Sequence, residues 1–143
     1  MSISKAEIVI FIIIMICIVL SVVNELKAEI PDGLKPLLHA IHWRESSFGT
    51  NMDGEAGSLG PYQIRKLYWI DAIEHRPEIG GEYKDCVGKE YSESVMLSYW
   101  DRYAKGSADY ETLARLHNGG PKGPSKRVTL KYWKDIKNFL DNQ

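Results

Sequence analysis

The longest hydrophobic feature of the chain is the run from Ile8 to Val23, broken only by Cys17 and Ser21. A stretch that is apolar on every face and strung with Ile and Val reads as a targeting or anchoring segment rather than a core helix. It falls slightly short of the ~20 residues that span a bilayer, yet exceeds many signal-peptide cores. Lys5 precedes it, and Glu25, Lys27 and Glu29 follow, so the charge bias favours a cytoplasmic amino end and an exported body. Leu26 occupies the position where a small residue favours cleavage before or after Ala28, so the reading leans to an uncleaved signal anchor, with a cleaved signal peptide as the alternative. Residues 1–29 are therefore set apart from a single folded domain over 30–143, of ordinary domain size.

Within that domain the hydrophobic pattern becomes periodic. Leu34, Leu37, Leu38 and Ile41 recur at helical spacing and predict a first helix, opened by Pro31 and Asp32 and ending before Phe48-Gly49. From Gly49 to Gly60 the chain is rich in Gly, Asn, Asp and Ser without an apolar period, which predicts a loop or hairpin excursion. Pro61 suits the first turn of a second helix with Ile64, Leu67, Tyr68 and Ile73 on its apolar side, closed by Pro77 and Gly80-Gly81. A third helix is expected over about Glu90 to Tyr103. Asp109 caps a fourth that stops at Gly119-Gly120-Pro121, and Thr129 caps a fifth carrying Trp133, Ile136, Phe139 and Leu140. The fold class expected is mainly α, a helical domain with a small hairpin or loop lobe.

Charge and cysteine content narrow the function classes. The formal net charge of −1 hides an asymmetry: Asp71 to Glu111 is acid-rich, whereas Arg115, Lys122, Lys126, Arg127, Lys131, Lys134 and Lys137 make the last quarter basic. Such a face is first a solvated helix surface, and secondarily a means of steering the protein to a polyanionic wall. No basic run interleaved with aromatics points to nucleic acid. There is no G-x-G-x-x-G, Walker or H-E-x-x-H motif, so no cofactor is expected. The histidines His39, His42, His75 and His117 are scattered; His39 and His42 share a helix but lack a third ligand, so no metal is expected either. Cys17 lies inside the apolar run and leaves Cys86 alone in the exported body, so no internal disulfide is available there. Nothing around Cys86 supplies an activating base, which makes it an inert thiol.

Glu45 is the candidate of most chemical interest. It continues the apolar stripe four residues after Ile41, so its side chain leaves the helix toward the core. Desolvation there would raise the carboxyl pKa and keep a general acid protonated near neutrality. Helix position alone leaves open the alternative of an exposed helix-end glutamate.

The segments Trp43-Arg44-Glu45-Ser46-Ser47-Phe48, Gly57-Ser58-Leu59-Gly60-Pro61-Tyr62-Gln63-Ile64 and Tyr68-Trp69-Ile70-Asp71 resemble the invertebrate-type (destabilase) lysozymes. Tyr99 to Ala104, Leu113 to Pro121 and Leu130-Lys131-Tyr132-Trp133 follow in the family's order, so the resemblance runs from about Leu34 to Trp133. The Glu-Ser-Ser-Phe, Gln-Ile and Asn-Gly blocks are also similar to goose-type lysozymes and lytic transglycosylases, within the wider lysozyme superfamily. The resemblance implies a lysozyme-like α+β fold whose loop lobe forms one wall of a cleft. It also implies a glycoside hydrolase that cuts the β-1,4 bond between N-acetylmuramic acid and N-acetylglucosamine in peptidoglycan strands.

Glycoside hydrolysis needs an acid and usually a second carboxylate. Glu45 takes the first role. The family places an Asp two residues before the Gly-Ser-Leu triplet, and here that position holds Glu55, with Asp53 as understudy in a loop shorter than is usual in the family. Substrate contacts are expected from Ser58, Tyr62, Arg65, Tyr68, Trp69, Tyr99, His117, Asn118 and Gly119, with the backbone at the Asn-Gly turn bonding an N-acetyl arm. The absence of the standard Asp keeps two alternatives open: a lytic transglycosylase using Glu45 alone, and an inactive glycan-binding module. The cysteine-poor body departs from the cysteine-dense family. The expected location is extracytoplasmic, secreted or held to the membrane by the N-terminal segment.

Overall fold

The computed structural model describes residues 4–25, 29–52 and 57–143, with side chains of the first helix described through Val19. Helix α1 spans Lys5–Glu25 and opens with a reciprocal cap. The Ser4 N–H donates to Glu7 Oε2 at 2.7 Å and the Glu7 N–H to Ser4 Oγ at 3.3 Å, satisfying two otherwise orphaned donors. Its apolar side chains from Ile8 to Val19 are exposed. Among the described residues no helix is long and apolar enough to cross a membrane.

Five helices make the body: α2 (Lys35–Ser46), α3 (Lys66–His75), α4 (Lys89–Tyr103), α5 (Tyr110–Gly119) and α6 (Thr129–Asp141). Short 3-10 turns at Asp32–Leu34, Pro77–Ile79, Tyr83–Val87 and Gly123–Ser125 join them. The α4 and α5 segments lie where hydrophobic periodicity put them, and Asp109 caps α5 by accepting the Thr112 N–H at 2.9 Å. Three expected starts differ. Asp32 belongs to a 3-10 turn and pairs with exposed Lys35, so α2 begins later. Pro61 does not start a helix: Leu59 and Ile64 exchange both backbone hydrogen bonds at 2.9 Å, which turns Gly60 to Gln63 into a tight reversal, and α3 starts only at Lys66. Thr129 is the first residue of α6 rather than its cap. Its hydroxyl is engaged inward with the Gly123 and Lys126 carbonyls at 2.8 Å each, and accepts from Arg115 Nε at 2.9 Å.

The core forms where apolar stripes meet. Leu37, Leu38 and Ile41 of α2, Val95, Met96 and Trp100 of α4, Leu113 and Leu116 of α5 and Ile136 of α6 are buried together. α3 packs on α4, α5 on α6, and α2 on α6, where Trp43 stacks on Phe139 with centroids 4.6 Å apart. Two crossings bring backbones together: a Cβ on Gly60 would lie 1.8 Å from the Cys86 carbonyl oxygen, and one on Gly123 1.8 Å from that of Arg115. Only glycine fits at either point.

Both cysteines are free, as expected. Burial pushes the Cys86 thiol up to about 12, which leaves it protonated and inert. Polar ties take the place that bridges would hold. Ser46 Oγ donates to the Pro61 carbonyl at 2.8 Å, Ser92 Oγ to Cys86 at 2.7 Å and Ser98 Oγ to Ala72 at 2.6 Å, each joining two segments. Glu93, 4% exposed, accepts the Tyr62 hydroxyl and, at 2.6 Å, the Lys89 ammonium. A buried carboxylate is tolerated only because both donors meet it.

Removing one member of that buried cluster strands the others. Glu93→Ala is expected to destabilise the domain by about 3 kcal/mol or more. Glu93→Met combined with Tyr62→Phe, which removes the polar partners together, should recover much of the loss. Urea unfolding of the three proteins checks this, and a Glu93→Ala protein as stable as wild type contradicts it.

Candidate active site

Helix α2 stops abruptly at Ser46, one residue after Glu45. Ser47 (φ 49°) and Phe48 (φ 59°) are consecutive non-glycine residues in the left-handed region, a conformation that costs roughly 1 kcal/mol or more for each. The Ser47 N–H still caps the helix through the Trp43 carbonyl at 2.9 Å, and Ser46 Oγ accepts the Gly49 N–H at 2.9 Å. With Ser46 also tied to Pro61, this end of α2 is pinned to the lobe. Glu45 thereby sits in the last turn, aimed along a fixed direction.

Its side chain is 17% exposed. The buried Tyr132 hydroxyl of α6 donates to Glu45 Oε1 at 2.7 Å. His117 Nε2 of α5, in a side chain only 2% exposed, stands 3.6 Å from the same oxygen. That separation is longer than an ordinary hydrogen bond but close enough for the imidazole to act electrostatically on the carboxyl. The Arg44 guanidinium lies over the Tyr132 ring at 5.4 Å and bonds Asp135 at 3.2 Å. Burial, with the charge of Glu45 next, raises the Tyr132 hydroxyl well above its ordinary pKa, so it is a permanent donor. Oε1 is committed to it, which leaves Oε2 as the oxygen able to carry a transferable proton.

The expectation of a raised Glu45 pKa is corrected by these neighbours. Burial is the largest single influence and does raise it, but His117, Tyr132 and Arg44 together outweigh burial and hold the carboxyl below its ordinary value. The stripe on α2 shows the desolvation; of the opposing groups, Arg44 is on the same helix, while His117 and Tyr132 come from α5 and α6.

A cleft of about 770 Å³ opens over this carboxyl. Of the residues expected there, Glu45, Ser58, Arg65, Tyr68, Tyr99, His117, Asn118 and Gly119 line it. Ser58 Oγ donates to Gln63 Oε1 at 2.8 Å, so the hydroxyl orients a cleft amide. Tyr68 and Tyr99 stack on each other, centroids 3.6 Å apart, and are 8% and 2% exposed, so they offer edges rather than flat faces to a sugar. The Tyr68 hydroxyl and His117 Nδ1 are buried with no partner among the described residues. Tyr62 and Trp69 do not line the cleft: Tyr62 is fully buried against Glu93, and the Trp69 indole donates to Tyr91 at 2.9 Å. Asp53 and Glu55 lie outside the described residues.

Arg44, Asn51, Gln63, Asp71 and Lys126 also line the cleft, and sequence reasoning singled out none of them as a contact. Asp71 was within reach of such reasoning, since it lies three residues after Tyr68 on one helix and so shares its face. Asp71 accepts the Tyr103 hydroxyl at 3.0 Å, with Arg102 3.9 Å away. Among the described residues no group of three or more His, Cys, Asp or Glu could hold a metal ion.

Residues 37–139 match the family model described as Destabilase. A lysozyme of Ostrea edulis is 39% identical over 98 residues, covering 65% of this chain and 68% of that protein. A chain in the crystal structure of Aeromonas hydrophila PliI in complex with Meretrix lusoria lysozyme superposes with a TM-score of 0.63 at 31% identity, over 73% of this chain and 88% of that one. The lysozyme of Tapes japonica superposes with a TM-score of 0.61 at 30% identity, over 72% and 87%.

The electrostatics around Glu45 set a direction for its titration. Tyr132→Phe and His117→Gln each remove an influence that lowers the carboxyl pKa and leave burial less opposed, so the Glu45 pKa should rise in both. Because the wild-type carboxyl is depressed, its contribution to stability is present above the unfolded-state pKa and is lost as pH falls through the folded value; both variants should shrink that contribution. An acid that keeps its proton longer also moves the alkaline limb of kcat/KM to higher pH. A pH profile of cell-wall lysis reads this, and an unmoved limb in both variants rules out control of Glu45 by these neighbours.

Proposed function

On the premise that this chain belongs to the Destabilase family and is a lysozyme, a glycoside hydrolase, we propose that it cleaves the β-1,4 bond between N-acetylmuramic acid and N-acetylglucosamine in peptidoglycan, with Glu45 as general acid. The observation that carries this reading is the mostly buried Glu45 carboxyl, one oxygen held by Tyr132 and the other without a hydrogen bond among the described residues, lining a cleft of about 770 Å³. Oε2 gives its proton to the glycosidic oxygen as the bond breaks. A bound glycan displaces water and strengthens desolvation, the one influence that already pulls the carboxyl upward, so occupancy of the cleft moves Glu45 toward its protonated form. His117, 3.6 Å from Oε1, and the Tyr132 hydroxyl face the carboxylate that remains once the proton has left.

The second carboxylate is assigned to Glu55, with Asp53 in reserve. It stabilises or captures the sugar cation so that water completes the cleavage. Asn118 and Gly119 lend backbone groups to an N-acetyl arm, and Ser58, Arg65, Tyr68 and Tyr99 contribute contacts from the cleft wall. The protein works outside the cytoplasm as a bacteriolytic enzyme. Export rests on the apolar run from Ile8 to Val23, whose described side chains through Val19 are exposed, and the anchored alternative has no support from α1, since among the described residues no helix is long and apolar enough to cross a membrane.

Glu45→Gln keeps the shape but cannot donate a proton, and should lower lysis by roughly 10²- to 10⁴-fold with the fold intact by circular dichroism. Near-normal lysis in that variant removes the site. A hydrolase leaves a reducing muramic acid end, whereas a transglycosylase closes an anhydro ring lighter by one water. Mass spectrometry of the digest should show the hydrated product, and predominantly anhydro ends would establish the rival reaction.

The two loop acids separate by substitution. Glu55→Gln should cost more activity than Asp53→Asn, because Glu55 holds the family's position relative to Gly57-Ser58-Leu59. The reverse order in initial rates of wall lysis reassigns the role to Asp53.

A further inference from the structure

The two most exposed large apolar side chains among the described residues, Val128 at 80% and Leu67 at 76%, both line the cleft. Each stands two positions after a cation that lines it too, Lys126 before Val128 and Arg65 before Leu67. Two segments far apart in sequence thus bring the same pairing of cation and aliphatic side chain to one opening. Solvated apolar groups concentrated at a functional cleft mark an unfilled contact.

Among the described residues no carboxylate pairs with Arg65 or Lys126. Lys126 Nζ donates to the Gly119 carbonyl at 2.6 Å, a neutral acceptor that leaves its charge in place. The described carboxylates of the cleft are engaged elsewhere: Glu45 with Tyr132 and His117, Asp71 with Tyr103 and Arg102. A glycan stripped of its peptides offers hydroxyls, acetamido groups and a lactyl carboxylate, which can meet a cation but give an exposed aliphatic side chain nothing to cover. A short peptide carrying carboxylates and small alkyl side chains matches both halves of the pair.

We propose that these two lips receive the acidic, aliphatic peptide stems that branch from the glycan, so that the substrate class is stem-bearing rather than stripped glycan. This rests on the peptidoglycan reading above and specifies which part of the polymer the cleft margins recognise. Arg65 and Lys126 meet the stem carboxylates, and Leu67 and Val128 cover its methyl groups. Attraction across an exposed lip is screened by salt, so the preference should fade as ionic strength rises.

The test uses the full chain with Glu45→Gln, which holds glycan without turning it over, and two soluble preparations from one wall: strands with stems, and the same strands after an amidase has removed them. Hydrolysis of the lactyl amide releases the stem and frees a lactyl carboxylate, so the stripped strands still carry negative charge on the sugar, and tighter binding of the stem-bearing strands cannot come from charge on the sugar itself. Stem-bearing strands should bind roughly three- to tenfold more tightly, a margin in keeping with a few exposed contacts. Adding Lys126→Gln and Val128→Ser should bring the ratio of the two affinities close to one. Equal affinities without those changes, or an undiminished ratio with them, overturns the proposal. Cleavage of both preparations by the unsubstituted protein separates the two readings: cleavage without stem preference removes the lips alone, while stem preference without cleavage removes the hydrolase and leaves the lips standing.

Discussion

The 2.7 Å hydrogen bond from Tyr132 to Glu45 is the interaction on which the site depends, because it exists only when α6 has docked on the end of α2. Two of the neighbours that tune the carboxyl arrive by tertiary packing, Tyr132 on α6 and His117 on α5, and the third, Arg44 of its own helix, is bonded to Asp135 of α6. The acid therefore acquires its proton affinity largely from outside its own helix. A loosened α6 would release Glu45 to the ordinary behaviour of a partly buried carboxyl, and local unfolding would be felt as altered chemistry before it was felt as lost structure.

This dependence explains what was legible in the sequence. The α4 and α5 segments followed from periodicity and a cap, because those signals are local. Glu45, His117 and Asn118 could be placed in one site through family-like motifs, and the structure brings them to one cleft. The sign of the Glu45 shift was not legible, since the stripe of Leu37, Leu38 and Ile41 reports desolvation alone while the larger opposing influences, His117 and Tyr132, lie some seventy positions and more downstream. Tyr62 misled for a related reason. Its motif suggested a sugar platform, but the reversal between Leu59 and Ile64 turns it inward onto Glu93, a pairing that no spacing rule reveals. The same reversal displaced the start of α3 from Pro61 to Lys66.

Stability without bridges follows a parallel logic. Ser46, Ser92 and Ser98 each satisfy a carbonyl of a neighbouring segment, and Glu93 gathers a tyrosine and a lysine. These contacts are worth about 1 kcal/mol each when neutral and somewhat more when charged, but their placement counts for more than their sum. Ser46 joins the helix that carries the acid to the reversal that borders the cleft, so the tie that steadies the fold also fixes the distance across the opening.

The glycine crossings at Gly60 and Gly123 carry one more consequence. Where the backbone of one segment rests on the carbonyl of another, the separation is set by main-chain atoms and cannot be adjusted by exchanging side chains. The scaffold around the cleft is thus insulated from the residues that decorate it. Leu67 and Val128 project from this frame with little support from neighbours, so substitution there need not propagate inward. Such a molecule can adapt to a different wall polymer by resurfacing its rim while the machinery beneath stays in register, a division of labour that makes the rim the natural place for lineages, or engineers, to retarget it.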